Sequence, residues 1–261
     1  MREAGGGCPL RSDPVLILLP PSETKASGGD GPPVDPDALW LPELTEARRA
    51  LFDALVSLAT DAAATAKALG ISEAQAEELA QVNASLWSSP TRPALARYTG
   101  VLYDALDVAS FTKAQRAKAD ARLAVGSALF GVVGAGDGIP GYRLSAGSKL
   151  PGFGTLAAHW KPVLEPALAN AGLGLVVDLR SGGYQQLGKV SGAITATVVT
   201  ERADGSRSVV SHFNKHHKGL LARALATTRA EPTDLKGVAA VARKAGLRVE
   251  TPSATELVIV T

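Results

Sequence analysis

Five consecutive aliphatic residues, Val15 to Leu19, stand between Pro14 and the pair Pro20-Pro21. A run that is short, apolar at every position and bounded by prolines reads as a strand buried on both faces. It is far shorter than the roughly 20 residues a membrane span requires. A buried strand needs a large core around it, and 261 residues, 46% hydrophobic and 20% charged, can supply one. The single cysteine, Cys8, cannot form an internal disulfide, and one thiol with four histidines assembles no structural zinc site. No metal or cofactor is expected, nor any membrane partner, and the chain reads as soluble, untargeted and cytoplasmic.

Residues 1–13 are glycine-rich and aperiodic, which predicts a flexible tail ahead of one domain spanning 14–261. After the first strand, Ser22 to Lys25 open a Gly/Pro-rich loop that reaches Pro36. Between Pro42 and Leu69, apolar residues recur at helical spacing, with Gly70 as the stop. Ser72 can cap a second helix to about Val82. Short helices are expected over Tyr98–Leu106 and over Thr112–Ala121, the latter capped by Thr112. Leu123 to Val133 reads as a strand or close-packed segment, and Gly154 to Asn170 as a helix interrupted or kinked by Pro162 and Pro166. Leu173–Leu179 and Gly192–Glu201 read as strands, and Asp204-Gly205 as a hairpin turn before a strand over Ser206–Phe213. A helix capped by Asn214 runs to Arg229, another from Asp234 to Ala245, and strands at Leu247–Thr251 and Glu256–Val260 end the chain. The order predicts a single α+β domain, a mixed sheet flanked by helices.

Charge is unevenly placed. The formal net charge is +2, too small to imply a nucleic-acid partner by itself. Between Gly31 and Ala80, however, nine acidic side chains face three basic ones, whereas Gly205 to Ala230 carries five basic side chains, no acidic one and three of the four histidines. Anions should prefer the second segment, although a solvated helix face would show the same pattern. Within it, Lys215 and Lys218 lie one turn apart at the start of a helix, where they would reinforce an anion site.

Other candidates are more ordinary. Leu69, Gly70, Ile71 and Ala76 fit a helix-hairpin-helix pattern able to hold a phosphate on backbone amides. An ordinary helical corner uses the same residues, and Glu73, Glu77 and Glu78 beside it repel phosphate. Gly134, Gly136 and Gly138 form a loop that lacks both the dinucleotide and the P-loop spacing. Tyr142-Arg143 offers a ring and a guanidinium fork. Arg180 to Tyr184 follows a buried strand at the end where α/β ligand sites gather, with Ser181 better suited to capping. No Ser/His/Asp or paired-carboxylate set is legible. Iron could in principle be held by carboxylates with His212, His216 or His217.

Taken in order, LILLPPSETK, YTGVLYDAL, ALFGVV, GYRL, VVDLRSGGY and SHFNKHHKGLLARAL make the chain resemble the YaaA peroxide-stress family from Val15 nearly to its end. The resemblance implies a compact mixed domain with a helix-hairpin-helix element. It also implies protection from peroxide by limiting damage linked to intracellular iron, and a basic cleft that engages DNA without reading its sequence. The residues carried over are Ser22, Lys25, Tyr103, Tyr142, Arg143, Tyr184, Lys215 and Lys218. Lys218 stands where the family often has arginine, keeping the charge without the planar fork. The expectation is that Lys25, Arg143, Lys215 and Lys218 converge on one cleft in which Tyr142 and Tyr184 stack on a base. A binding protein is favoured over an enzyme. The alternative is an enzyme that uses the same cleft for a nucleotide or phosphorylated metabolite.

Overall fold

The computed structural model describes residues 15–202, 204–208 and 211–261, with side chains at all of these except 211–213. The expected tail at residues 1–13, Cys8 included, lies outside the described residues. Strand β1 (Val15–Leu19) is buried at every position and runs through the middle of the main sheet. The chain then makes β2 (Gly31–Pro33), the helices α1 (Thr45–Leu58), α2 (Ala62–Leu69) and α3 (Glu73–Ala84), β3 (Pro90–Pro93), and α4 (Ala94–Arg97), α5 (Val101–Leu106) and α6 (Lys113–Arg122). It re-enters the sheet as the hairpin β4 (Leu123–Ser127) and β5 (Gly131–Gly134), followed by β6 (Gly138–Ile139). Helix α7 (Leu156–Asn170) leads to β7 (Leu175–Asp178), and α8 (Gly182–Gln185) to β8 (Ile194–Glu201). The last part comprises β9 (Arg207–Ser208), α9 (Ser211–Thr227), α10 (Leu235–Lys244), β10 (Val249–Ser253) and β11 (Glu256–Val260).

The main sheet is ordered β10-β11-β8-β7-β1-β4-β5, with β9 added against β8, and β2-β3-β6 form a separate antiparallel sheet. β1 pairs in parallel with β4 on one side and β7 on the other, and β7, β8 and β11 continue the parallel run. The edges are antiparallel: β4 with β5 and β10 with β11. The mixed α+β architecture read from the sequence is therefore the one the chain adopts. The connection from β1 goes to its neighbour β4, while that from β7 leaves in the opposite direction to β8. Two adjacent parallel strands whose connections diverge leave a crevice at their carboxyl ends.

Several local expectations need correction. The helix expected over Pro42–Leu69 is broken into a 3₁₀ turn at Pro42–Leu44, α1 and α2, because Asp61 accepts a hydrogen bond from the Ala64 amide and starts a new helix. Leu123 to Val133 is a hairpin rather than one strand, turning before Gly131 at φ +72°. Helix α7 runs without interruption through Pro162 and Pro166. Both prolines are exposed and four residues apart, so the carbonyls they leave unpaired lie on the solvent side, where water can satisfy them. Among the described residues of the strand expected over Ser206–Phe213, Arg207 and Ser208 form β9, and α9 begins at Ser211. Asn214 is consequently a residue of the first turn of α9 and not its cap.

Helix α9 packs against α5, α6, β8 and β1, burying Leu221, Ala222, Leu225 and Ala226. The approach to α5 depends on Gly219. A Cβ there would fall 2.3 Å from the Leu102 carbonyl oxygen and 2.7 Å from the Ala105 Cβ.

Candidate functional site

The crevice between the carboxyl ends of β1 and β7 opens into a cavity of about 810 Å³. Its walls are the loop after β1 (Pro20–Thr24), the start of α5, residues 145–147, the turn Leu179–Gln185 after β7, Thr195–Thr197 of β8, and Asn214, Lys215 and Lys218 of α9. Five of the eight residues carried over from the family line it: Ser22, Tyr103, Tyr184, Lys215 and Lys218. The other three, Lys25, Tyr142 and Arg143, lie outside its lining.

The floor is rigid because of a buried ion pair. Asp178 and Arg180 are 4% and 1% exposed, and the guanidinium forks onto the carboxylate through Nε to Oδ1 at 2.9 Å and Nη2 to Oδ2 at 2.8 Å. The same Nη2 donates to the Gly188 carbonyl at 2.8 Å, tying down both ends of the turn that carries Tyr184. Gly126 on β4 makes room for the Arg180 side chain, since a Cβ there would lie 2.6 Å from Arg180 Cδ. Lys218 Nζ donates to the Leu179 carbonyl at 3.1 Å, and burial holds its pKa below the ordinary value, with Asp178 opposing. Lys215 is exposed and forms no ion pair among the described residues. Ser181 stands at the start of α8, yet its side chain makes no capping bond, and its hydroxyl is left at the cavity wall, contrary to the capping role expected.

All four tyrosines of the chain collect at or beneath this cavity. Tyr103 donates to the Pro20 carbonyl at 2.8 Å and stacks on Tyr98, ring centroids 5.6 Å apart. Tyr98 and Tyr142 share a hydroxyl hydrogen bond of 2.8 Å, and Tyr142 a second one with Ser127 at 2.7 Å. Burial pushes the pKa of Tyr98, Tyr103 and Tyr142 well up, and that of Tyr184 up to about 12, so all are neutral phenols at physiological pH. Tyr142 is only 3% exposed, with Lys25 Nζ over one face at 4.1 Å and Phe130 edge-on at 5.4 Å. It presents no face on which a base could stack, unlike Tyr184, which lines the cavity. The sequence reading overlooked Tyr98, although it opens the same YTGVLY run as Tyr103.

Lys25 does not reach the cavity as a free cation. Its ammonium donates to the Ser22 carbonyl at 2.9 Å and sits between the rings of Tyr142 and Tyr98. Burial first, and the Arg143 charge second, bring its pKa from 10.5 down to about 7. Between about pH 7 and 10.5 the unfolded chain therefore holds a proton that the folded chain has released, and folded stability rises with pH across that window. Urea unfolding at several pH values should show this rise in the native chain and not in Lys25→Met. Parallel profiles for the two would overturn the assignment. Arg143 is also engaged, donating to Glu23 at 2.8 Å across the edge of the site.

The remaining basic residues of the 205–230 segment are mostly neutralised in place. Arg207 pairs with Glu201 and Glu250, and Arg223 with Asp107 and the Leu106 carbonyl. The glycine loop at 134–138 is likewise self-satisfied: Asp137 accepts from the amides of Gly134 and Trp40, placing a carboxylate where a phosphate would have to sit. At the α2–α3 corner, Gly70 takes φ +68° and the amides of Gly70 and Ile71 both donate to the Ala66 carbonyl. Ala76 is fully buried and Leu69 packs on the core, while Glu73, Glu77 and Glu78 are exposed. The corner touches the site indirectly, through the Lys149 amide bonded to the Ala68 carbonyl just beyond residues 145–147. Among the described residues no cluster of three or more His, Cys, Asp or Glu could hold a metal ion, and no helix is long and apolar enough to cross a membrane.

The chain is 53% identical over 240 residues to a UPF0246 protein of Corynebacterium efficiens, an alignment covering 90% of this chain and 95% of the relative. A UPF0246 protein of Corynebacterium glutamicum is 51% identical over the same length and coverage, and one of Streptomyces coelicolor 45% identical, with 92% of its length covered. The family model described as peroxide stress protein YaaA matches residues 15–251, from the first buried strand to the last hairpin, and the chain belongs to that family.

Proposed function

We propose that this peroxide stress protein acts by binding DNA without sequence preference, and that its cavity receives a single nucleotide unit of the strand. The observation that carries this reading is the pairing of Lys215 and Lys218 on one side of the cavity with Tyr184 in the turn after β7. Two ammonium groups can hold phosphate oxygens, and a phenol ring can take the flat face of a base, a combination that tolerates any sequence. A duplex does not enter a cavity of about 810 Å³, whereas one nucleotide drawn from a gap, bubble or end does. Limiting iron-linked damage then means shielding strands that are already open, with no need for the protein itself to bind iron. The α2–α3 corner would serve at most as a secondary backbone contact, since its Gly70 and Ile71 amides are already bonded.

Anisotropy titrations with gapped and intact duplex DNA over a range of salt concentrations test the reading. Gapped DNA is expected to bind more tightly, and Lys215→Ala/Lys218→Ala to weaken binding at least tenfold and to lower the salt slope by about 2. Unchanged affinity and slope in the double variant would reject it.

The size of the cavity favours a second reading, in which a free nucleotide or phosphorylated metabolite is bound and turned over. Thermal-shift measurements with mononucleotides against DNA separate the two. Stabilisation by the mononucleotide alone, with no DNA binding, supports the second.

A further inference from the structure

Arg143 stands at the rim of the cavity, held there by its backbone. The side chain of Asn83 on α3, 1% exposed, engages both main-chain groups of Arg143: its Oδ1 accepts from the amide at 2.9 Å and its Nδ2 donates to the carbonyl at 3.1 Å. The guanidinium itself is used sparingly. Nη2 donates to Glu23 at 2.8 Å, while Nε and Nη1 donate to nothing among the described residues, and neither is a buried atom. The Arg143 and Glu23 side chains are 23% and 71% exposed, and an ion pair so open to water is held together weakly. Glu23 is itself part of the cavity wall. Its carboxylate therefore sits at the edge of an anion site as an internal oxyanion, on an arginine with donors left over for a bidentate phosphate. Tyr184 lies beside the pair: its phenol pKa, raised chiefly by burial, also responds to the charges of Glu23 and Arg143.

We infer that Arg143 is a second phosphate subsite of the cavity and that Glu23 is the group this phosphate displaces, so that the site selects a nucleotide carrying phosphate on both sides of its sugar. The inference rests on the reading that the cavity takes a nucleotide unit. Lys215 and Lys218 on α9 then hold one phosphate, Tyr184 takes the base, and Arg143 holds the other phosphate from a different wall. Displacing Glu23 costs little, since an exposed carboxylate returns to water with its solvation intact. The interior of a DNA strand offers a unit of this kind, because the sugar there is esterified at both its 5′ and 3′ oxygens. A free 5′-mononucleotide, or a strand end without a terminal phosphate, carries only one phosphate and leaves the Glu23 pair closed.

The test uses the full chain and three probes measured by calorimetry: the 5′-monophosphate, the 5′-diphosphate and the 3′,5′-bisphosphate of 2′-deoxyadenosine. The diphosphate matches the bisphosphate in phosphate number but carries both on one side. The native protein should bind the bisphosphate about tenfold more tightly than either of the others, the worth of one charged hydrogen-bonded contact. Arg143→Ala should lose that preference, and Glu23→Gln should widen it about threefold by removing the competing charge. Because both side chains are solvated, the melting temperatures of the variants should stay close to native, which separates lost recognition from lost folding. Three results would each overturn the inference while leaving the nucleotide reading intact: monophosphate and bisphosphate bound equally by the native protein, the diphosphate bound as tightly as the bisphosphate, or a preference that survives Arg143→Ala or does not widen in Glu23→Gln. Binding of none of the probes would overturn that reading, and the inference with it.

Discussion

Replacing Asp178 by alanine should destabilise the protein by about 3–5 kcal/mol, because it leaves the Arg180 guanidinium buried without its counter-charge. Arg180 is 1% exposed, so water cannot take over the role of the carboxylate. The carbonyl of Gly188 still accepts from Nη2, but Nε loses the Asp178 oxygen to which it donates. The site should be lost along with stability, since the same guanidinium ties the turn bearing Ser181 and Tyr184 to the end of β7. Chemical denaturation should show the drop, and DNA or nucleotide affinity should fall even under conditions where the variant remains folded. A double replacement, Asp178→Leu/Arg180→Met, should recover much of the stability without recovering binding, because it removes the buried charge but not the need to hold the turn. An Asp178→Ala protein as stable as the native one would show that Arg180 finds another partner.

The second large effect is expected at Gly219. Alanine is otherwise the best helix former, and in a solvent-facing helical position Gly→Ala would stabilise. Here the added methyl meets the Leu102 carbonyl at 2.3 Å and the Ala105 Cβ at 2.7 Å. Backbone atoms cannot rotate away as a side chain does, so α9 or α5 must shift. We expect a loss of about 3 kcal/mol, the upper part of the usual range for overpacking. For a chain of this size that lowers the melting temperature by roughly 6–12 °C. Because Lys215 and Lys218 lie one to four residues before Gly219 on the same helix, the shift should also weaken anion binding. A stabilised Gly219→Ala protein would mean that the two helices are not in such close contact.

The pattern of strands and helices was largely legible in the sequence, because it rests on local chemistry. Thr112 and Ser72 cap their helices with full capping boxes, Gly246 takes φ +84° just after α10, and Gly205 takes φ +79° in the β8–β9 hairpin. Elements misread were those where a local rule had to be weighed against a distant surrounding. Pro162 and Pro166 do not break α7 because both face solvent. Nothing in the sequence near Asn214 announces that α9 starts three residues earlier.

The candidate site was legible in part. Its residues could be named from motifs, yet their exposure and partners could not. Lys25 and Arg143 read as free cations and are engaged by tyrosine rings and a glutamate respectively. Tyr142 reads as a stacking ring and is a wall of the core.

By itself the sequence determined which residue types are available, where helices are capped, that the run from Val15 to Leu19 must be covered, and to which family the chain belongs. Those follow from contacts within a few residues and from motif order. Only the tertiary structure decided that β1 and β7 lie side by side with diverging connections, and that Lys215 and Lys218 line the cavity they open. The reason is that charge, exposure and hydrogen-bond supply depend on neighbours far away in the chain, as with Glu23 and Arg143, which stand 120 positions apart yet meet at 2.8 Å.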